Sequence, residues 1–173
     1  KSAAPAVHQR VARYLLSQIK PPTSKTRHAD VAKQLSAWGA ALPLLRNLYV
    51  IEGARLSYTK TERQKVDSLV HLLRQIEPQS LDLEGQALAA LVLQQRGDSH
   101  RAEKFVAAFR RLLVSSPERG TYIEHPQGPF SSINRKLHTH VQLMEALQQV
   151  QPADTLLRGM RRHLLFEKRT ELW

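Results

Sequence analysis

The chain has 173 residues, with 26 Lys and Arg against 15 Asp and Glu, and no cysteine. The lack of cysteine excludes disulfides, thiolate metal sites, a Cys nucleophile and a Cys-derived thioester within these residues. Apolar residues make up 42%, as in a soluble globular chain, and no window approaches the roughly 18 consecutive apolar residues of a membrane span.

The net charge of +11 is unevenly spread, since residues 1–65 hold 12 Lys and Arg against 3 Asp and Glu. A basic half is the electrostatic footprint of a nucleic-acid or anionic-surface binder, although no run of like charge reaches the length of a binding arm. The start, "KSAAPAVHQRV", carries no initiator Met and no long apolar core of a signal peptide. The expectation is an excised piece of a longer protein.

Seven glycines and almost no strand-like alternation predict helices with punctuation. A first helix is expected from about Pro5 to Ile19, with Val7, Val11, Tyr14 and Leu15 on one face, broken by "KPPTSKT". A second is expected around Asp30 to Trp38. "ALPLLRNLYVIEGARLS" reads as short helical pieces. From residue 60 to 77, Val66, Leu69, Val70, Leu73 and Ile76 fall at helical spacing, with Pro78 after the end. Residues 82–96 contain "ALAALVL", apolar on every side, which predicts a helix buried all round. Gly97 closes it and Asp98 caps the next helix. Residues 99–115 return to a single stripe of Ala102, Phe105, Val106, Phe109, Leu112 and Leu113.

The connection "SSPERGTYIEHPQGPFSS" cannot be continuous helix, and its "TYIE" predicts a short extended piece. Tyr122 and Phe130 flank it. Residues 132–150 predict a broadly apolar helix, and residues 153–168 a narrow stripe of Leu156, Leu157, Met160 and Leu164. From residue 60 the order is narrow, broad, narrow, broad, narrow. Antiparallel helices that alternate in this way form two layers. The expected class is therefore all-α, a two-layer antiparallel helical arc forming part of an α/α toroid. An α-solenoid of tetratricopeptide type is the alternative, since "ALAALVLQQRGDSHRAEKFVAAF" has small residues, a Gly-Asp turn, then Ala and Phe. Residues 1–58 read as basic N-terminal helices and 59–173 as the toroid segment, together one continuous helical domain.

No residue is assigned to catalysis, to a cofactor or to a metal. His138 and His140 of "HTH" stand two apart, so on a helix they point about 200° apart and cannot share an ion; one packed and one solvated imidazole is expected. Glu84 and Glu145 lie on the two broad helices and Glu52 and Glu124 in connections, without the spacing of a paired acid and base. A glycosidase or lyase on such a toroid stays open. No phosphate loop or nucleophile elbow is readable. The aromatics, 6% of the chain, are not interleaved with basic residues as single-strand binding requires.

Four segments carry a resemblance, in order. They are "LEGQALAALVLQQRGDSHRAEKFVAAFR" (83–110), "GTYIEH" (120–125), "HTHVQLMEALQQV" (138–150) and "MRRHLLFEKRTELW" (160–173). The second half resembles the bacterial alpha-2-macroglobulin-like proteins, large envelope proteins related to the complement thioester proteins. The first segment is similar to a Gln-Ala inner helix, Gly-Asp turn and Ala-rich outer helix of that family's toroid. The last is similar to its W-L-L-x-x-K-R/Q-T-x-x-W pattern. His163 stands where that pattern has Trp and His140 where Ala is usual, and "PFSSI" replaces an apolar lead-in.

The resemblance implies a non-catalytic module of a conformational protease trap in the bacterial periplasm or on the outer surface. Its partners would be proteases and other domains of a parent chain. Gln86, Gly97, Tyr122, Lys168, Thr170 and Trp173 would be architectural. It also implies that Trp173 anchors a turn after an outer helix ending near Lys168, so that the next inner helix would follow. A generic helical interaction scaffold and a nucleic-acid-binding module using residues 1–65 are the other readings.

Overall fold

The computed structural model describes residues 4–18, 41–124 and 133–170. Its helices are α1 (Ala4–Gln18), α2 (Ala41–Gly53), α3 (Lys60–Gln75), α4 (Leu83–Gln95), α5 (Ser99–Arg110), α6 (Ile133–Val150) and α7 (Leu156–Thr170). One 3₁₀ turn, Pro78–Ser80, joins α3 to α4. Strands β1 (Leu113–Ser116) and β2 (Gly120–Ile123) pair as an antiparallel hairpin, Leu113 opposite Ile123 and Ser116 opposite Gly120. The described chain is mostly helical, in keeping with an all-α class.

Local chemistry explains several boundaries. Thr59 opens α3 with a capping box: its hydroxyl accepts from the Glu62 N–H, and the Glu62 carboxylate accepts from the Thr59 N–H. Asp82 caps α4 by accepting from the Gly85 N–H at 2.7 Å, and Asp98 caps α5 by accepting from the Arg101 N–H. Gly97 ends α4 at φ 75°, the left-handed conformation that glycine adopts without a Cβ penalty.

Helix α4 sits in the middle, packed against α2, α3, α5 and α6. Every residue from Glu84 to Leu93 is buried, as "ALAALVL" predicts. The core continues through Ala12 and Leu16 of α1, Leu48 and Ile51 of α2, Phe105 and Phe109 of α5, Leu143 and Leu147 of α6 and Met160 of α7. The narrow stripes of α3 and α5 also hold, with Val66, Leu69, Val70, Leu72 and Leu73 buried on one and Ala102, Phe105, Val106 and Phe109 on the other.

Four expectations are corrected. Helix α1 turns a different face inward: Ala12 and Leu16 are buried, while Val7, Val11 and Tyr14 are exposed. Residues 41–53 form one helix rather than pieces, because Pro43 falls in the first turn, where its missing N–H breaks no helical bond. The helix predicted over 99–115 stops at Arg110, and residues 113–116 leave it to pair with 120–123. Helix α6 is not broadly apolar in its packing. It buries His140, Leu143, Ala146 and Leu147 and leaves Val141 exposed, so the narrow and broad alternation runs from α3 to α5 and stops there. The helix expected at Asp30–Trp38, Phe130 and Trp173 all lie outside the described residues.

The hairpin is fitted tightly to α7. A Cβ on Gly120, whose φ is 81°, would come within 2.9 Å of the His163 nitrogen and closer still to the Gly159 carbonyl. A Cβ on Gly159 would lie 2.8 Å from the Cβ of Thr121 and closer still to its hydroxyl. Two glycines thus let a strand and a helix meet backbone to backbone.

Candidate functional site

The hairpin, α6, α7 and the start of α4 enclose a cavity of about 220 Å³. Its walls include Leu83, Tyr122, Ile123, Leu137 and Leu143, with His140 and His163 among them and the charged groups of Arg119, Glu124, Lys136 and Glu167 around it. Arg119, Glu124 and Lys136 are exposed and Glu167 is half-buried, whereas His140 and His163 are buried.

The imidazoles stand face to tilted face, their centroids 4.9 Å apart with 59° between the rings. His163 also stacks on Tyr122 at 5.0 Å and 21°. The Arg119 guanidinium lies 5.1 Å from the centroid of the Tyr122 ring and 5.5 Å from that of Phe166. Helix α6 delivers His140 inward because it falls on the same stripe as Leu143 and Leu147, at i+3 and i+7. Its Nε2 lies 3.0 Å from the Met160 carbonyl. Burial pushes the His140 imidazole below its ordinary pKa; the neighbouring His163 adds to this, while the Met160 carbonyl and Glu167 act the other way.

The expectation for "HTH" agrees with what is seen: His140 is buried and His138 is 54% exposed by its side chain. The structure adds that His140 and His163 are in contact. Each was visible alone in the sequence, but their meeting depends on how α6 and α7 pack.

The acids are occupied singly. Glu84, 3% exposed, accepts from Arg46 Nε at 2.7 Å and lies 3.6 Å from His138 Nε2. Glu145 accepts from the Tyr49 hydroxyl at 2.5 Å, and Glu52 accepts from Tyr58 and pairs with Arg96 at 2.8 Å. Within the basic first 65 residues, Arg13 pairs with Glu62 and donates to the Ser57 carbonyl, and Lys65 donates to the Leu16 carbonyl. Together with Arg46, these cations serve the fold.

Of the six residues expected to be architectural, the five among the described residues do not converge. Gln86 is buried on α4 and donates to the Leu81 carbonyl at 2.9 Å, while its Oε1 has no hydrogen-bond partner among the described residues. Gly97 lies at the other end of α4. Among the described ones only Tyr122 lines the cavity. Lys168 is exposed in the last turn of α7, where a cation suits the helix dipole, and Thr170 is the last residue of that helix. Among the described residues no cluster of three or more His, Asp or Glu side chains could hold a metal ion, and no helix is long and apolar enough to cross a membrane. Compared with protein-family models, curated proteins and solved structures, the chain matches none.

Proposed function

We propose that this chain is a non-catalytic, protein-binding part of a bacterial alpha-2-macroglobulin-like envelope protein, working at the periplasmic or outer cell surface. In this reading the helices from residue 60 onward are an arc of an α/α toroid, with α4 an inner helix and α3 and α5 outer ones. The module moves as a unit when a protease cleaves elsewhere in the parent chain, and the protease is then enclosed. Its partners are proteases and the neighbouring domains.

The observation that carries this reading is the order of the four sequence segments together with the meeting of two of them. Residues 120–122 of the second segment lie against α7, with Gly120 packed on its backbone and Tyr122 stacked on His163 of the fourth segment. Residues that look like a family signature are used at a junction between elements. The all-round burial of α4 also suits an inner helix.

The test uses the protein encoded by the complete reading frame. It is treated with several endopeptidases and followed by native electrophoresis and small-angle scattering. The expected result is a limited cut, a more compact particle, and a captured protease that still cleaves a small peptide but not a large protein. Digestion without compaction, or with free protease activity on large substrates, overturns the reading.

A further inference from the structure

Each imidazole of the buried pair has one nitrogen committed. A carbonyl only accepts, so His140 Nε2 carries the proton given to Met160 O at 3.0 Å, and His163 Nδ1 carries the proton given to Arg119 O at 3.2 Å. In the neutral rings this leaves His140 Nδ1 and His163 Nε2 as acceptors. Through the second bond His163 holds the turn of the hairpin onto α7, and through the first His140 holds α7 onto α6.

We propose that the buried His140–His163 pair is an acid-sensitive latch: with His140 neutral it clamps the hairpin and α7 to α6, and a proton on His140 favours a state in which the hairpin has let go and the ring is hydrated. The inference stands independently of the protease-trap reading.

Charged and titratable groups face the pair from each element packed against it. From α7 the pair faces Glu167, 3.7 Å from His163 Nε2. From the hairpin it faces Arg119, Tyr122 and Glu124, and α6 itself contributes Lys136. His138 of α6 and Glu84 of α4 lie nearby but are engaged with each other and with Arg46. A proton on His140 Nδ1 enters a ring that is 6% exposed and stands 4.9 Å from the His163 ring, centroid to centroid. The buried state therefore resists this proton while an opened, hydrated state accepts it. A folded pKa below the ordinary value of about 6.5 means that the stabilisation is complete above that pH and is lost as pH falls through the folded value.

The hairpin is the element that yields. It is two strands of four residues, and Val114 and Ser115 of β1 are exposed. It rests on α7 by the Arg119 bond, the Tyr122 stack and the glycine contacts. Helix α4 packs instead against four helices.

Hydrogen exchange of the chain at pH 7.5 and 5.5, each corrected for the intrinsic rate, tests the latch. Amides in residues 113–123 should lose protection several-fold in acid, while those in α4 keep theirs. His140→Gln, which retains an N–H for the Met160 carbonyl but cannot titrate, should remove the difference. Unchanged hairpin protection in the wild type overturns the proposal, as does an equal acid loss in His140→Gln. If that variant does not fold, an NMR titration of the wild type decides. A His140 ring that titrates below the ordinary histidine value in step with the hairpin amides supports the latch. A ring that titrates at or above it overturns the latch.

Discussion

Gly159 of α7 leaves the space that Thr121 of β2 occupies: a Cβ at residue 159 would stand 2.8 Å from the Thr121 Cβ. Alanine normally favours a helix over glycine by about 1 kcal/mol. Here overpacking, costing about 1–3 kcal/mol, should win. Gly159→Ala is expected to destabilise the chain in urea denaturation, and a gain in stability would show that the contact yields easily.

Gly120 and Gly97 provide an internal comparison. Both have positive φ, 81° and 75°, but only Gly120 faces backbone atoms, and a Cβ on Gly97 would meet nothing within 4 Å. Gly97→Ala should cost about 1–2 kcal/mol for the left-handed backbone alone. Gly120→Ala should cost about 1–3 kcal/mol more through the clash with α7. Equal losses would contradict the backbone-to-backbone fit.

Glu84 is a buried carboxylate held by the more exposed Arg46, with His138 Nε2 3.6 Å away. Arg46→Met should strand that charge. A fully buried orphan costs about 3–5 kcal/mol, but Arg46 is 48% exposed by its side chain and water screens the pair, so about 1–2 kcal/mol is expected. Adding Glu84→Gln to Arg46→Met should restore part of the loss. A double variant no better than the single one would place the cost in lost packing.

Tyr49 hydrogen-bonds to Glu145, and its pKa is pushed up to about 12 by burial, that hydrogen bond and the nearby carboxylate charge. Burial and Glu52 likewise raise Tyr58. The neutral phenols are favoured in the folded state, so their stabilisation is complete below the unfolded value of about 10 and is lost as pH rises through the folded values. Ultraviolet titration should show a late phenolate component that shrinks in Tyr49→Phe and disappears when Tyr58→Phe is added. Complete ionisation of all tyrosines by pH 11 in a still folded chain would refute it.

Asp154 accepts from the Leu156 N–H at 2.8 Å at the start of α7 and pairs with Arg110 at 2.7 Å. Burial pushes its carboxyl up, but the Arg110 and Leu156 hydrogen bonds and the Arg110 charge outweigh that, leaving it below the usual range. Its stabilisation is therefore present above the ordinary Asp pKa and lost as pH falls through the folded value. Asp154→Ala should cost about 1 kcal/mol at neutral pH, as for a lost helix cap, and should flatten the acid limb of the stability profile. Thermal melts from pH 7 to pH 3 measure both effects.

What the sequence made legible follows from where contrast existed. Helices α3 to α5 alternate between charged and apolar faces, or lack a charged face altogether, and their burial followed. In α1 two helical stripes compete: Val7, Val11 and Tyr14 share one face while Ala12 and Leu16 share another. Periodicity cannot choose between them, because the choice depends on what α2 offers. Strand β1 was hidden because Leu112 and Leu113 prolong the stripe of α5, and only the partner at 120–123 draws them out of the helix. The candidate site was the least legible part. His140 and His163 lie on different helices, and their contact is a property of packing.

The enclosure of α4 also has a consequence for synthesis. The helix has no charged face to keep it in water, and two of its coverings, α5 and α6, follow it in the chain. On a ribosome, "ALAALVL" emerges dozens of residues before α6 is complete. During that interval an apolar cylinder waits half-wrapped. It is therefore the segment a nascent-chain chaperone would grip first, and a chain stopped between α5 and α6 should be sticky rather than merely short.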